Sequence, residues 1–168
     1  MIVRCTKKML HLLGARSVSV EEFPATDDDW YLDLIWFDRR KCLLLVHAGT
    51  LFSVFRADVR SAELRPPGAY LVPAVQAELA DERLPLDMFG RLQPDDVRIA
   101  RTASRSMLGF MNQMTVEIRY QVMRSDDVRN CDTDALNRQL RRTPRNRGGY
   151  VRPIDLVTEH CAPLAPPT

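Results

Sequence analysis

Residues Val97–Val122 carry the most informative pattern in the chain and read VRIARTASRSMLGFMNQMTVEIRYQV. Both of its ends alternate apolar and polar residues, a pattern that is typical of half-buried strands. The pattern predicts one strand over Val97–Thr102 and another over Thr115–Met123. Between them, Ser104 is placed to cap a short helix over Arg105–Met114. The stretch therefore predicts a chain that leaves a sheet, forms a compact helical insert and returns to the sheet.

Upstream of this stretch, apolar runs alternate with short polar turns. Such spacing predicts an antiparallel meander of three strands, at Trp30–Phe37, Lys41–His47 and Leu51–Phe55. The nearly continuous apolar run in the middle strand predicts burial on both of its faces. A strand at Ile2–Cys5 and a helix over Lys7–Leu13 open the chain.

Three further helices complete the expected fold. Helical spacing predicts helices over Tyr70–Arg83, from Asp132 or Thr133 to Pro144, and over Pro153–His160. We therefore expect one α+β domain over residues 1–160, with residues 161–168 as a disordered tail. Its sheet is expected to be mostly antiparallel, with about five or six strands, and its helices are expected to pack on one face.

Composition narrows the function classes. The chain has 168 residues with 24 Lys and Arg, 22 Asp and Glu, and a net charge of +2. This charge is too small to indicate a nucleic-acid partner by itself. The four cysteines, Cys5, Cys42, Cys131 and Cys161, lack metal-site and disulfide-framework spacing, and they fit a reducing cytoplasm. No cofactor motif, metal motif, signal peptide or membrane-spanning run is predicted.

Several motifs are spread over most of the chain: RCTKK at 4–8, RRKC at 39–42, RSxLGxMNxM at 105–114, LNR at 136–138, and Pro144, Tyr150 and Pro153. In this order they resemble a family of small bacterial proteins described only as a domain of unknown function. The resemblance implies a cytoplasmic bacterial or mobile-element protein. It implies no established activity, so no catalytic residue is carried over. His47 stands where the pattern leads us to expect Asn or Asp.

The predicted insert is a candidate anion site. A helix amino end presents free N–H groups and partial positive charge, and an adjacent arginine adds a bidentate contact. A phosphate or carboxylate would then be lined by Ser104, Arg105, Ser106 and Asn112. The alternative is architectural: Ser104 caps the helix, Asn112 satisfies loop backbone, and Gly109 permits close packing.

An arginine-rich segment near the end of the chain is a candidate nucleic-acid or polyanion surface. Its basic residues are Arg138, Arg141, Arg142, Arg145, Arg147 and Arg152, with no acid between them. They would follow a phosphate backbone while Tyr150 stacks on a base, helped by Arg4, Lys7 and Lys8. The alternative is a solvated helix end and loop.

Two other function classes stay open. An enzyme would grip an anionic substrate with Arg105, but catalytic patterns are sparse, and His47 near Ser53 lacks an identifiable third partner. An antitoxin-like or mobile-element accessory protein would use a protein partner. For that class, Met107, Phe110, Met111 and Met114 would form an adaptable contact, although core packing is the favoured interpretation. Polyanion binding is favoured over catalysis.

Overall fold

The structure is a computed structural model that describes residues 1–15, 20 and 22–161, with backbone alone at 160 and 161. Its main sheet has five strands: β1 (Ile2–Cys5), β2 (Trp30–Phe37), β3 (Arg40–His47), β4 (Ser53–Arg56) and β5 (Arg98–Arg101). A small hairpin pairs β6 (Arg145–Asn146) with β7 (Tyr150–Val151). The described α-helices are α1 (Lys7–Leu13), α2 (Pro67–Asp81), α3 (Arg105–Arg124), α4 (Thr133–Arg142) and α5 (Pro153–Cys161).

The strands lie in the order β4-β3-β2-β1-β5. The β2–β3 and β3–β4 pairs are antiparallel, which confirms the predicted meander, whereas β1 runs parallel to both β2 and β5. The α+β class is therefore confirmed. β5 ends beside Cys5, and α3 follows it and packs against one face of the sheet.

Helices cover both faces of the sheet, so the expectation of helices on one face is wrong. Alternate residues of β2 enter different cores: Leu32 and Leu34 pack with α1 and α2, while Tyr31 and Ile35 pack with α3 and α4. The physical reason is the apolar middle strand, because a strand that is buried on both faces needs a helical layer on each side. That burial was predicted for β3 and is confirmed.

The predicted strand over Thr115–Met123 is also wrong, because α3 continues through it as one helix of 20 residues. The buried side chains of α3 follow helical spacing, at Met107, Met111, Met114, Ile118 and Val122. The alternation in its second half is thus coincidental. The predicted core role of the three methionines is confirmed.

Most helix ends have the capping residues that the sequence indicates. Ser104 Oγ accepts a hydrogen bond from the Met107 amide, and Asp132 caps α4 in the same way. Gly14 ends α1 with a φ of 72°, as expected for a left-handed helix end. Thr6 precedes α1, but its hydroxyl donates to Asp33 Oδ1 at 2.6 Å instead of capping the helix.

None of the helices among the described residues combines the length and apolar character needed to span a bilayer. From residue 162 onward, the predicted tail lies outside the described residues.

Candidate functional site

A cleft of about 650 Å³ opens beside the amino end of α3. Four segments of the chain meet there: the approach to β2, the β3–β4 turn, the start of α3 and the β6–β7 hairpin. The polar lining consists of Thr26, Asp27, Tyr31, Ser104, Ser106, Asn146 and Arg147, with Gly148 beside them. The apolar lining consists of Ala25, Ala48, Met107 and Phe110. The volume lies within the range of small-molecule sites.

The start of α3 forms the donor wall of the cleft. Ser104 and Ser106 place their hydroxyl oxygens 2.9 Å apart. The first amides of a helix have no intrahelical acceptor, and the aligned peptide dipoles give this end partial positive charge. This wall therefore favours a negatively charged group.

Arg147 joins the hairpin to the β3–β4 turn at the edge of the cleft. Its Nη1 donates to the carbonyl oxygen of Ala48 at 3.1 Å and to that of Gly49. Its Nη2 lies 3.6 Å from Asp27 Oδ1, and Asp27 is largely exposed. The guanidinium is thus held in place by carbonyl groups, while its carboxylate contact is long.

Tyr31 contributes a buried phenol to the cleft. Burial raises the pKa of Tyr31, and nearby Asp29 raises it further, while Arg4 and backbone groups of Ala103 and Ser104 lower it. The phenol is therefore neutral at physiological pH and supplies a hydrogen-bonding group beneath the start of α3.

A buried ion pair fixes the segment that approaches β2. Arg4 Nε donates to Asp29, and the other guanidinium nitrogens donate to the carbonyl oxygens of Phe23, Pro24 and Arg101. Asp29 also accepts bonds from the Thr26 amide and hydroxyl, each at 3.0 Å. Arg4 is 2% exposed, so it positions the cleft wall and is not part of an exposed cationic surface.

The predicted anion-site residues are only partly brought together. Ser104 and Ser106 line the cleft, as described above. Arg105 is exposed at the first helical position and does not line it. Asn112 lies on the outer face of α3, nearly two turns further along, and is also outside the cleft. Gly109 does not provide close packing, because a Cβ there would meet no atom within 4 Å.

Arg141 departs most clearly from the expectation of an exposed arginine-rich surface. Its guanidinium is fully buried, with Nη1 donating to Glu78 Oε2 at 2.7 Å and Nε donating to Glu82 Oε1 at 2.8 Å. Arg145 is also buried, and its guanidinium donates hydrogen bonds to the Glu117 carboxylate of α3. Burial and pairing leave neither side chain free to contact a phosphate backbone.

Most of the exposed members of the predicted surface also have carboxylate partners. Arg138 pairs with Asp81, Arg142 with Glu82, Arg152 with Asp155 and Lys8 with Asp33. Lys7 and Tyr150 are exposed, but Lys7 lies on α1 and Tyr150 lies on the β6–β7 hairpin. Carboxylates therefore neutralise most of these cations, and the expected cationic surface is not formed.

The candidate His47–Ser53 pair is not formed. His47 is buried with its Nδ1 3.0 Å from Thr50 Oγ1, and its ring packs against Trp30 and Phe89. Ser53 Oγ is buried and has no hydrogen-bond partner among the described residues. His47 therefore contributes to the core beneath the β3–β4 turn.

Residues 2–156 match one protein-family model, which is described as a domain of unknown function, DUF6933. The chain belongs to this family. The match covers every residue that lines the cleft, and the family description names no activity. No curated protein and no solved structure matches the chain.

Several cleft residues of this DUF6933 chain were not predicted from its sequence. Asp27 belongs to an acidic run that reads as a loop, and Tyr31 and Phe110 read as core. Asn146 carries no motif, although its place in a Gly-rich hairpin is a weak signal. Among the described residues, no three His, Cys, Asp or Glu side chains are grouped closely enough to hold a metal ion.

Proposed function

We propose that the protein binds a small molecule that joins a carboxylate or phosphate to an apolar body, and that it does so in the cleft at the start of α3. The observation that supports this proposal is the convergence of four chain segments on one cavity that both polar and apolar side chains line. Sites of this kind bury the apolar part of a ligand and orient it with a few polar groups.

The anionic group is assigned to the donor wall. There it would meet the first amides of α3 and the hydroxyls of Ser104 and Ser106, which favour negative charge. Arg147 adds a cation whose contact with Asp27, at 3.6 Å, is long enough to be exchanged for a ligand oxygen. The apolar body would lie against Met107 and Phe110, which line the same cavity.

Two probes test this proposal by amide chemical shifts in ¹⁵N-labelled protein. Phenyl phosphate and benzoate combine an anion with one aromatic ring, and phenol serves as the uncharged control. We expect both anions, but not phenol, to shift the amides of Ser104, Ser106 and Arg147 in a saturable way. Shifts that are absent, or that spread evenly over the surface, would contradict the proposal.

Ser106→Asp gives a matched variant. A carboxylate near a helix amino end stabilises the helix, but here it would repel an anion in the cleft and weaken binding by about tenfold. Asn112→Asp adds the same charge to α3 outside the cleft and should leave binding nearly unchanged. Equal weakening by both variants would place the anion outside the cleft.

We also propose that the protein works in the cytoplasm of a bacterium. The motifs that resemble small bacterial proteins support this, as do the free thiols of Cys5, Cys42 and Cys131, which suit a reducing compartment. Fractionation of the native host should recover the chain with a cytoplasmic marker enzyme; recovery with a secreted or periplasmic marker would overturn this assignment.

A further inference from the structure

The outer face of α3 carries apolar side chains that nothing in the described structure covers. Val116, Tyr120 and Met123 are 67%, 60% and 78% exposed, and their spacing places them on one side of the helix. We call these three residues the α3 patch. Large apolar side chains that are grouped on a surface mark contact sites more often than single exposed ones do.

A groove of about 460 Å³ continues the patch towards the end of β2. Met123 and Arg119 form its α3 wall, and Phe37 and Asp38 form the opposite wall. The patch therefore adjoins a concavity that can receive a side chain, which a flat surface would not provide.

Three arginines of α3 surround the patch, whereas the two acids near it, Asp38 and Asp126, lie in the groove. Arg105, Arg119 and Arg124 project from α3 and have no carboxylate partner within the described part of the chain, although Arg119 and Arg124 lie over the rings of Phe37 and Tyr120. Glu117, the only acid of α3, is already bonded to Arg145. The helix thus offers cations without offering a free carboxylate.

From this pattern we infer that the α3 patch docks an acidic amphipathic helix of another protein. Its apolar side chains would meet Val116, Tyr120 and Met123, with one of them entering the groove. Its Asp and Glu side chains would face Arg105, Arg119 and Arg124. Helix-in-groove recognition with apolar anchors at such spacing is a common mode of peptide binding.

Two other occupants fit the charges less well. A second copy of this chain would bring the α3 arginines of both copies together, and the acids that it could set against them, Asp38 and Asp126, lie in the groove and not on α3. An anionic bilayer would attract the arginines, but it presents no side chain that could enter the groove.

Fluorescence anisotropy with two labelled helical peptides of about 20 residues, as long as α3, tests the inference. Both peptides carry leucine at the same amphipathic positions, and their remaining positions are glutamate-rich in one and lysine-rich in the other. We expect the acidic peptide to bind at least about tenfold more tightly, since opposite charges steer and hold such contacts.

Matched variants locate the contact. Arg124→Glu should weaken binding of the acidic peptide by about tenfold or more, and so should the double variant Val116→Ser with Met123→Ser. Arg91→Glu and Leu86→Ser change exposed residues elsewhere and should have little effect. Asn146→Asp adds a negative charge to the cleft from the β6–β7 hairpin. It should weaken the proposed cleft ligand and leave peptide binding unchanged, so the two proposals can fail separately.

Three results would overturn the inference. The first is equal affinity for the two peptides, or equal loss in the patch variants and their controls. The second is co-sedimentation with phosphatidylserine vesicles, lost in Arg124→Glu, while the acidic peptide does not bind. The third is a dimer in sedimentation velocity that the Val116 and Met123 substitutions dissociate.

Discussion

Arg141 Nη1 lies 2.7 Å from Glu78 Oε2, and both side chains are almost completely buried between α4 and α2. The same carboxylate group of Glu78 accepts bonds from Arg56 and Asn137 through its other oxygen. Asn137 in turn bonds both backbone groups of Phe55 on the edge strand β4. This network attaches two helices to the open edge of the sheet.

Arg141→Met should destabilise the fold by about 3–5 kcal/mol, because it leaves the Glu78 carboxylate buried without its main cation. Arg138→Met, which removes an exposed pair with Asp81, should cost less than about 1 kcal/mol. Urea unfolding followed by circular dichroism compares the two variants. A stable Arg141→Met protein that had lost affinity for DNA would instead restore the polyanion hypothesis.

Two glycines should respond to alanine in opposite directions. A Cβ on Gly68 at the start of α2 would overlap the carbonyl oxygen of Pro94, so Gly68→Ala should destabilise the protein by about 1–3 kcal/mol. A Cβ on Gly109 meets nothing within 4 Å, so Gly109→Ala should stabilise α3 by about 0.5–1 kcal/mol through helix propensity. Thermal unfolding measures both changes, and a loss of stability in Gly109→Ala would reveal a contact on the outer face of α3.

Buried thiols should make the fold sensitive to alkali. Burial raises the pKa of Cys5 from 9.0 to about 12 and that of Cys42 to about 11. Above pH 9 the unfolded chain therefore binds fewer protons at these thiols than the native protein does. Their contribution to stability is complete below pH 9 and is lost as pH rises towards the native values, by up to about 1.4 kcal/mol per pH unit for each thiol.

Urea unfolding between about pH 8 and about pH 10, with reductant present, measures this slope. Cys5→Ala should give a shallower fall in unfolding free energy than the unchanged protein, whatever its stability at neutral pH. Cys131→Ala should change the slope less, since its thiol is only partly buried. Parallel pH profiles for the Cys5→Ala variant and the unchanged protein would show that Cys5 is not the group responsible.

The sequence predicts structure correctly where the signal lies in residues that are close together along the chain. The β2–β3–β4 meander, α1 with Gly14, and the Ser104 cap all follow from local signals. Ser104 and Ser106, in the donor wall of the cleft, were predicted as site residues for the same reason. Asp27 and Asn146 were not predicted, because they are more than one hundred positions apart in the sequence and come together only in the fold.

The arginine-rich segment shows the same limit. The clustering of Arg138, Arg141 and Arg142 is visible in the sequence. Their partners are Glu78 and Asp81 of α2 and Glu82 directly after it. A charge run is read as an exposed surface unless the acids that neutralise it are known. Nothing local indicates that side chains of α4 reach those of α2 past the β4 edge of the sheet, so the partners could not be assigned.

The second half of α3 provides the sharpest test of helix against strand. In a strand, Val116, Ile118 and Tyr120 would share one face and contribute alike to the core. In the helix, Ile118 is completely buried while Val116 is 67% exposed. Ile118→Ala should therefore cost about 2–5 kcal/mol, because it leaves a cavity against the sheet. Val116→Ala should be neutral or slightly stabilising, since alanine favours helix. Chemical denaturation of the two variants separates these outcomes, and comparable losses from both would mean that Thr115–Met123 is a strand after all.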